Sequence, residues 1–299
     1  MKNGGKSPYA MNNKYVLLLR PHHWVKNLFV FAPLFFGHRF GDAGLLWQSF
    51  LAFAAFSLTA SGVYALNDIW DLNEDRLHPE KKNRPVATGL VGIQPAYTLS
   101  AVFLAAGIWL SMMAGASVWQ FILFYALLNI AYTMRLKHLP ILDVSIIAIG
   151  FVIRLLAGSR ATSVPLSVWI VITTFLLSLF LALAKRRDDI LLFQKNGQVT
   201  RKAMDGYNLD FLNVAMGMMA TIVVVAYLMY TVSPDVTGRL HNGNLYLTAF
   251  FVLLGVLRYM QIAFVEGNGG NPTTALFKDR SLQAIIAGWV LAFGWILYW

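Results

Sequence analysis

The sequence contains no cysteine. A disulfide framework, thiolate chemistry and any Cys-ligated metal centre are therefore excluded. Charge is also scarce. Charged residues make up 13% of the 299 positions, against about 25% in a typical soluble domain. A soluble chain of this size needs more polar surface than that to stay dispersed. Disorder is excluded as well, because disordered segments are poor in aromatics and this chain is 14% aromatic. With 58% hydrophobic residues, what remains is a chain whose solvent is mostly lipid. Its 14 acidic residues are outnumbered by 24 basic ones, a net charge of +10. In a soluble protein that surplus points to nucleic acid. In a membrane protein it points first to loops retained in the cytoplasm. The segment Met1 to Leu19 lacks the apolar core and small-residue cleavage site of a signal peptide.

Crossing the hydrocarbon core takes about 20 mostly apolar residues in a helix. From Pro85 to Met134 there is no charge, and Ala114-Gly115-Ala116-Ser117 divides that run into two spans. Ala161–Ala184, Phe211–Pro234 and Ser281–Trp299 are also uncharged. Leu45–Leu66, Ile141–Gly158 (with Asp143 and Arg154) and Leu245–Val265 (with Arg258) complete the long stretches. Trp24–Gly37, short and interrupted by Pro33, reads as a first, tilted or kinked span. The expectation is an all-α polytopic membrane protein with nine transmembrane helices. With the N-terminus inside and the C-terminus outside, only Arg39, Arg160 and Arg239 fall in outer loops. Arg154 lies within a span, and the rest of the 24 basic residues lie inside. That asymmetry supports the count, because a missed helix scrambles it. All but two of the 14 acidic residues, Asp42 and Asp235, share the inner side. The positive-inside rule does not require this, and it suggests a site there.

The sharpest feature is Asn67-Asp68-Ile69-Trp70-Asp71-Leu72-Asn73-Glu74-Asp75 at the end of the second span. Asp68, Asp71 and Asp75 stand at i, i+3 and i+7, which sets three carboxylates on one helical face. Like charges that close need a counter-charge, and Mg²⁺ suits one or two carboxylates plus substrate phosphates. Pro79 is expected to stop the helix, and Lys81, Lys82 and Arg84 follow at once. Carboxylates for metal beside cations for phosphate is what a metal–diphosphate site needs. The plainer account is a solvated helix end, although carboxylates are unfavourable at a helix C-terminus.

A second cluster, Lys185-Arg186-Arg187-Asp188-Asp189, ends the sixth span. It is an ordinary stop-transfer cap or a second anion and metal site. The two aspartates are adjacent, so at most one faces a site, and Asp189 is preferred. The third cluster is Tyr132, Arg135, Lys137 and His138, for which a cap is equally good. Arg154 lies deep in its span, where an arginine usually faces a polar interior. Asp143, about three turns away on the same face, marks the region of its partner. Near the N-terminus, Arg20 and Lys26 either snorkel to headgroups or reach the site. His22 and His23 read as interfacial, and none of the six histidines has zinc-helix spacing.

Asn67-Asp-x-x-Asp71-x-x-x-Asp75 ending a second membrane helix, with Arg84-Pro85 after it, resembles the first aspartate motif of the UbiA superfamily of intramembrane prenyltransferases. Several other stretches are similar to the decaprenyl-phosphate phosphoribosyltransferase branch of that superfamily. They are Arg20-Pro21-His-His-Trp24-Val-Lys26-Asn27-Leu-Phe-Val-Phe-Ala-Pro33, Tyr132-Thr-Met-Arg135-Leu-Lys137, Ala184-Lys185-Arg186-Arg187-Asp-Asp189 and Asn271-Pro272-Thr-Thr…Lys278-Asp279-Arg280. The second acidic motif departs from prenyl diphosphate-using members, having no Asp-x-x-x-Asp, which favours the phosphoribosyl branch.

The resemblance implies a single UbiA-like domain over residues 1–299, nine helices around a cytoplasm-facing cavity, and a place in a bacterial-type inner membrane. It implies Mg²⁺ as cofactor, held by Asp68, Asp71, Asp75 and Asp189, the first three being the catalytic carboxylates. The reaction implied is transfer of 5-phosphoribosyl from 5-phosphoribosyl 1-diphosphate (PRPP) to a polyprenyl phosphate with release of diphosphate, a step toward cell-envelope glycans. Substrate-binding residues by this resemblance are Arg20, Lys26, Asn27, Asn67, Lys81, Arg84, Tyr132, Arg135, Lys137, Arg154, Lys185, Arg186 and Asp189. The partners are PRPP, the polyprenyl phosphate and the bilayer, with no role for nucleic acid. An alternative keeps the fold but takes a prenyl diphosphate as donor to an aromatic or other acceptor. A transporter fits less well, because a transport path leaves polar residues toward the outer side and an internal repeat. The Gly267–Asn271 stretch reads as a lid or a plain linker.

Overall fold

The computed structural model describes residues 14–77, 81–196, 206–240, 243–267 and 272–298. Pro79 and residues 268–271 of the Gly-rich stretch lie outside them. Every regular element among the described residues is helical. The α-helices are α1 (Lys14–Leu19), α2 (Ala32–Phe36), α3 (Ala43–Trp70), α4 (Leu72–Leu77), α5 (Ile93–Met113), α6 (Val118–Met134) and α7 (Leu142–Thr162). They continue as α8 (Val168–Asn196), α9 (Leu209–Val232), α10 (Pro234–Leu240), α11 (Ala249–Phe264), α12 (Pro272–Lys278) and α13 (Arg280–Tyr298). Seven helical segments are long and apolar enough to cross a membrane, and α6 is a shorter apolar helix of the same character. The protein is a multi-pass membrane protein.

Several expected boundaries move. Trp24–Gly37 is not one α-helix. A 3₁₀ helix over Pro21–Phe31 passes into the five-residue α2, whose second residue, Pro33, needs no N–H partner at a helix start. The third span begins at Ile93 instead of Pro85, because residues 84–91 fold into a turn closed by Thr88 N–H on the Arg84 carbonyl (3.0 Å) and Val91 N–H on the Pro85 carbonyl (3.0 Å). The sixth starts at Val168 because α7 runs on to Thr162, and it continues past Ala184 to Asn196. Capping sets other ends: the Asp42 carboxylate accepts from the N–H groups of Gly44 and Leu45 (3.0 and 3.1 Å) to start α3.

The described residues group into two compact units. The first comprises residues up to Leu34, Asp42–Arg135 and Ile153–Val164. In it α3 lies along α5 and α6. Small residues allow this approach. Gly62 faces Ser100 and Leu104, Gly107 faces Ala55 and Thr59, and the Ser100 hydroxyl donates to the Gly62 carbonyl (2.8 Å). Membrane helices lack a hydrophobic drive toward one another and associate through such close packing. Gly158 of α7 is tighter still, because a Cβ there would overlap the Val30 carbonyl. Gly158→Val is expected to destabilise the protein by about 1–3 kcal/mol, the usual effect of overpacking, read as a lower melting temperature in detergent. Unchanged melting would show that the 3₁₀ segment yields freely.

The second unit comprises Phe35–Gly41, Leu136–Val152 and Pro165–Trp299. Here α8 packs along α9, and α11 packs on α9 and α13. Phe180, Leu183, Leu212, Met216, Val223 and Tyr259 lie in its core. Phe35 and Phe36 pack on Trp289 and Phe293. Arg258 of α11 grips Asp279 at the α12–α13 junction with two bonds, of 2.6 and 3.2 Å. These bonds hold the Asp279 carboxyl below the usual carboxylate range.

Candidate functional site

The α3 end keeps the register expected of its aspartates despite a break. Asp71 leaves the helix (φ −86°, ψ 6°), yet its N–H still reaches the Asn67 carbonyl (2.9 Å) and its own carbonyl accepts from Asp75 N–H (2.7 Å). Asp68 and Asp75 are buried, at 0% and 1% exposure, while Asp71 is half-buried. Arg20 forms an ion pair with Asp68 Oδ1. Arg84 Nη1 bridges the two aspartates, 2.7 Å from Asp75 Oδ2 and 3.2 Å from Asp68 Oδ1. Two guanidinium groups therefore supply the counter-charge that the sequence alone assigned to a metal.

Both arginines are placed by local structure. Arg20 takes the left-handed conformation (φ 51°, ψ 56°) just before Pro21, at a cost of about 1–3 kcal/mol for a residue with a Cβ. Its guanidinium lies 5.1 Å from the centre of the Tyr64 ring, and the Tyr64 hydroxyl is 3.2 Å from His23 Nδ1. The Ser61 hydroxyl donates to the Leu19 carbonyl (2.8 Å) and ties this turn to α3. Arg84 is carried by the turn at 84–91, whose Val86 and Val91 pack with Leu18, Ala65 and Ile69. Burial lowers the Arg20 pKa, with Asp68 opposing, and raises that of Asp75, with Arg84 opposing. Lys81 is half-buried in a short 3₁₀ turn, Lys81–Asn83. Asn67 accepts from the Thr133 hydroxyl, which brings the Tyr132 region of α6 to the same helix.

Arg154 of this unit is buried. Its Nε donates to Asn27 Oδ1 (2.7 Å) and its Nη2 to the Tyr125 hydroxyl (2.9 Å). Asn27 Nδ2 donates to the Ser57 hydroxyl (3.0 Å). The face shared with Asp143 is thus not where Arg154 finds these partners, and Asp143 belongs to another network.

That network lies in the second unit. Because α8 continues to Asn196, the Lys185–Asp189 cluster is helical, and successive side chains diverge by about 100°. Arg186 and Arg187 therefore do different things. Arg187 donates to Asn213 Oδ1 (2.8 Å) and to the Ala263 carbonyl (2.6 Å), tying α8 to α9 and to the last turn of α11. Arg186, 2% exposed, donates from Nε to Asp143 Oδ2 (2.6 Å) and from Nη1 to Asp189 Oδ2 (2.9 Å). Of the adjacent aspartates, Asp189 is the one Arg186 holds. The other oxygen of Asp143 accepts from the Tyr207 hydroxyl (2.6 Å). Burial raises the Tyr207 pKa, which keeps the phenol protonated. Lys185 is exposed, Lys137 is buried in the Leu136–His138 turn, and Arg135, in the first unit, is exposed.

The UbiA prenyltransferase family model matches residues 28–283. The chain belongs to this family. It is similar to the decaprenyl-phosphate phosphoribosyltransferase of Mycolicibacterium smegmatis, at 32% identity over 97% of this chain and 94% of that one. The enzyme of the same name from Mycobacterium tuberculosis H37Rv is 31% identical over 93% and 92% of the two chains. Among solved structures, a UbiA homolog from Archaeoglobus fulgidus bound to DMAPP and Mg²⁺ superposes with a TM-score of 0.72 at 19% identity, covering 95% of this chain and 98% of that one. That likeness establishes the shared UbiA fold.

Among the described residues no three His, Asp or Glu side chains converge as a ready metal cage. The donors at the UbiA aspartate motif nevertheless suit Mg²⁺, which prefers carboxylate oxygens and keeps other positions for water or phosphate. Asp68 Oδ2 is buried without a hydrogen-bond partner, a costly state that a bound cation relieves. Asp143, Tyr207, Tyr64, Tyr125 and Thr133 escaped the sequence reading as site residues. Asp143 did carry a signal, being a carboxylate in an apolar span. The tyrosines and Thr133 carried none, since their partners lie 29–66 positions away.

Proposed function

We propose that this chain is a Mg²⁺-dependent transferase that moves the 5-phosphoribosyl group from PRPP to a polyprenyl phosphate. The observation that carries the reading is its near full-length similarity to the mycobacterial enzymes. The charged clusters agree with it chemically. A phosphate oxygen of the acceptor forms a bond to C1 of the ribose as the bond from C1 to the diphosphate oxygen breaks, and diphosphate leaves. The acceptor is already an anion, so no general base is needed. The work falls on positioning and charge neutralisation.

Asp68, Asp71 and Asp75, with Asp189, are the residues that would hold the metal, which when bound neutralises the leaving diphosphate. Arg84, Lys81, Lys137, Lys185 and Arg186 bind donor phosphates. Arg20 and Lys26 bind the acceptor phosphate or the 5-phosphate. Asn27 and Arg154 hold one another, and with Asn67, Tyr132 and Arg135 they shape the binding surface. Arg suits such phosphates because its planar fork makes paired bonds.

The chain is read as one UbiA-like integral membrane domain of the bacterial inner membrane, with nine crossings, N-terminus inside, C-terminus outside, and its charged loops toward the cytoplasm. Seven long apolar helices and α6 support eight crossings. The ninth rests on Pro21–Phe36. Its 11 residues of 3₁₀ helix and 5 of α-helix reach roughly 30 Å, because a 3₁₀ helix rises about 2.0 Å per residue, and that matches the hydrocarbon core.

The test offers purified protein in nanodiscs labelled PRPP or labelled prenyl diphosphate, with polyprenyl phosphate and an aromatic acceptor. Label from PRPP should enter the lipid and diphosphate should appear. Chelation with EDTA should abolish both, and Mg²⁺ should restore them. Incorporation from the prenyl diphosphate alone would replace this reading with the alkylating one.

A further inference from the structure

The Arg186–Asp189 pair does not stand alone. Arg186 is fixed on one edge by Asp143, which is fully buried, and Asp143 is fixed in turn by Tyr207. Tyr207 is itself anchored, since its hydroxyl accepts the Ile141 N–H at 2.6 Å. Ile141 has a positive φ of 68°, an unfavourable conformation for a β-branched residue, and one that persists only where the surroundings over-determine it. Gly206 lies so close to the Pro140 ring that a Cβ would overlap it, which brings Tyr207 against the turn before α7. A backbone donor, a phenol, a carboxylate and a guanidinium thus form an ordered series that ends on Asp189. Neutralising Arg186 needs only the Asp143 charge. The phenol and the strained N–H add direction, by fixing which way the Asp143 oxygens point.

We propose that Tyr207 and Asp143 are positioning residues that set the geometry of Arg186 and Asp189 for the phosphate-bearing donor. The inference rests on the proposed assignment of Arg186 to the donor phosphates and of Asp189 to the metal. Each partner comes from a different element: Asp143 from the start of α7, Arg186 and Asp189 from α8, and Tyr207 from the chain entering α9. A rigid guanidinium binds a phosphate in one orientation, whereas a swinging one loses affinity without losing charge.

The test is steady-state kinetics of the full chain in nanodiscs for the wild type, Tyr207→Phe, Arg186→Lys and the double variant, with Asp143→Asn as a second probe. Tyr207→Phe should raise KM for PRPP about tenfold, leave kcat within about twofold and leave KM for polyprenyl phosphate unchanged, with a lower melting temperature because Asp143 and the Ile141 N–H each lose a bond. In the Arg186→Lys background the same change should have less than a twofold further effect, because the group Tyr207 acts through is gone. Asp143→Asn should show the same PRPP-selective rise in KM, larger in size, together with a lower melting temperature because Arg186 loses its buried counter-charge. Full additivity of the two changes would overturn the proposal, as would a wild-type KM in Tyr207→Phe or an equal rise for both substrates. A wild type that ignores PRPP but uses a prenyl diphosphate refutes the donor assignment alone. The same coupling, measured on KM for the prenyl diphosphate, then decides the positioning role.

Discussion

Asp71→Asn is expected to lower the rate of diphosphate release from PRPP by about 10²–10³-fold, the loss typical of removing one group that stabilises charge in a transition state. Asp71 is the most informative of the three aspartates because it is half-buried and ends α3 through its backbone. Exchanging its carboxylate for an amide leaves that backbone bonding intact, so the melting temperature should stay near that of the wild type. Asp68 and Asp75 make poorer tests. Each is buried against Arg20 or Arg84, and their removal strands a partly buried guanidinium, mixing a stability loss with any loss of chemistry. If Asp71 acts through a bound cation, raising Mg²⁺ should recover part of the lost rate. Full activity of Asp71→Asn at ordinary Mg²⁺ would remove Asp71 from the metal site.

Arg186→Met should have the largest effect on stability. It leaves Asp143, fully buried, with Tyr207 as its remaining bond from the network. Breaking a buried ion pair from one side costs about 3–5 kcal/mol, because the surviving charge stays desolvated. The double variant Asp143→Leu/Arg186→Met should regain most of that loss, since both charges go together and the Ile141 N–H still finds the Tyr207 hydroxyl. If Arg186 binds the donor as proposed, activity should not return with stability, because the guanidinium is absent. Melting temperature and turnover across the three proteins separate the two roles. Equal destabilisation of the single and double variants would show that the pair contributes packing and not charge compensation.

The fold was largely legible in the residue order. Uncharged runs such as Phe211–Pro234 and Ser281–Trp299 can form little except membrane helices, since lipid leaves backbone groups no other partner, and α9 and α13 occupy them. Boundaries were harder where hydropathy does not report backbone geometry. Pro85–Leu90 is as apolar as a span but forms a hydrogen-bonded turn, and Trp24–Phe31 is 3₁₀ instead of α.

The charged positions were legible too. The spacing of Asp68, Asp71 and Asp75 survives the break at Asp71, and the motif matched the family to which the chain belongs. Partners were not legible. Asp143 shares a helical face with Arg154 and reads in the sequence only as marking the region of that arginine's partner, yet it bonds Arg186 and Tyr207 from elsewhere in the chain. Lys185-Arg186-Arg187 reads as a stop-transfer cap or a second anion and metal site, yet its two arginines part: Arg186 pairs with Asp143 and Asp189 while Arg187 ties three helices together.

Sequence alone determined that the solvent is lipid, that charge collects at a few helix ends, and which residue types those ends carry, because composition and helical period depend only on neighbours along the chain. The tertiary structure decided which cation meets which carboxylate. Arg20 reaches Asp68 across 48 positions and Arg186 reaches Asp143 across 43, and Asp68 keeps one oxygen unsatisfied. Such pairings depend on which helix faces pack together, and in a membrane that depends on small residues such as Gly62, Gly107 and Gly158, whose contacts no local pattern records.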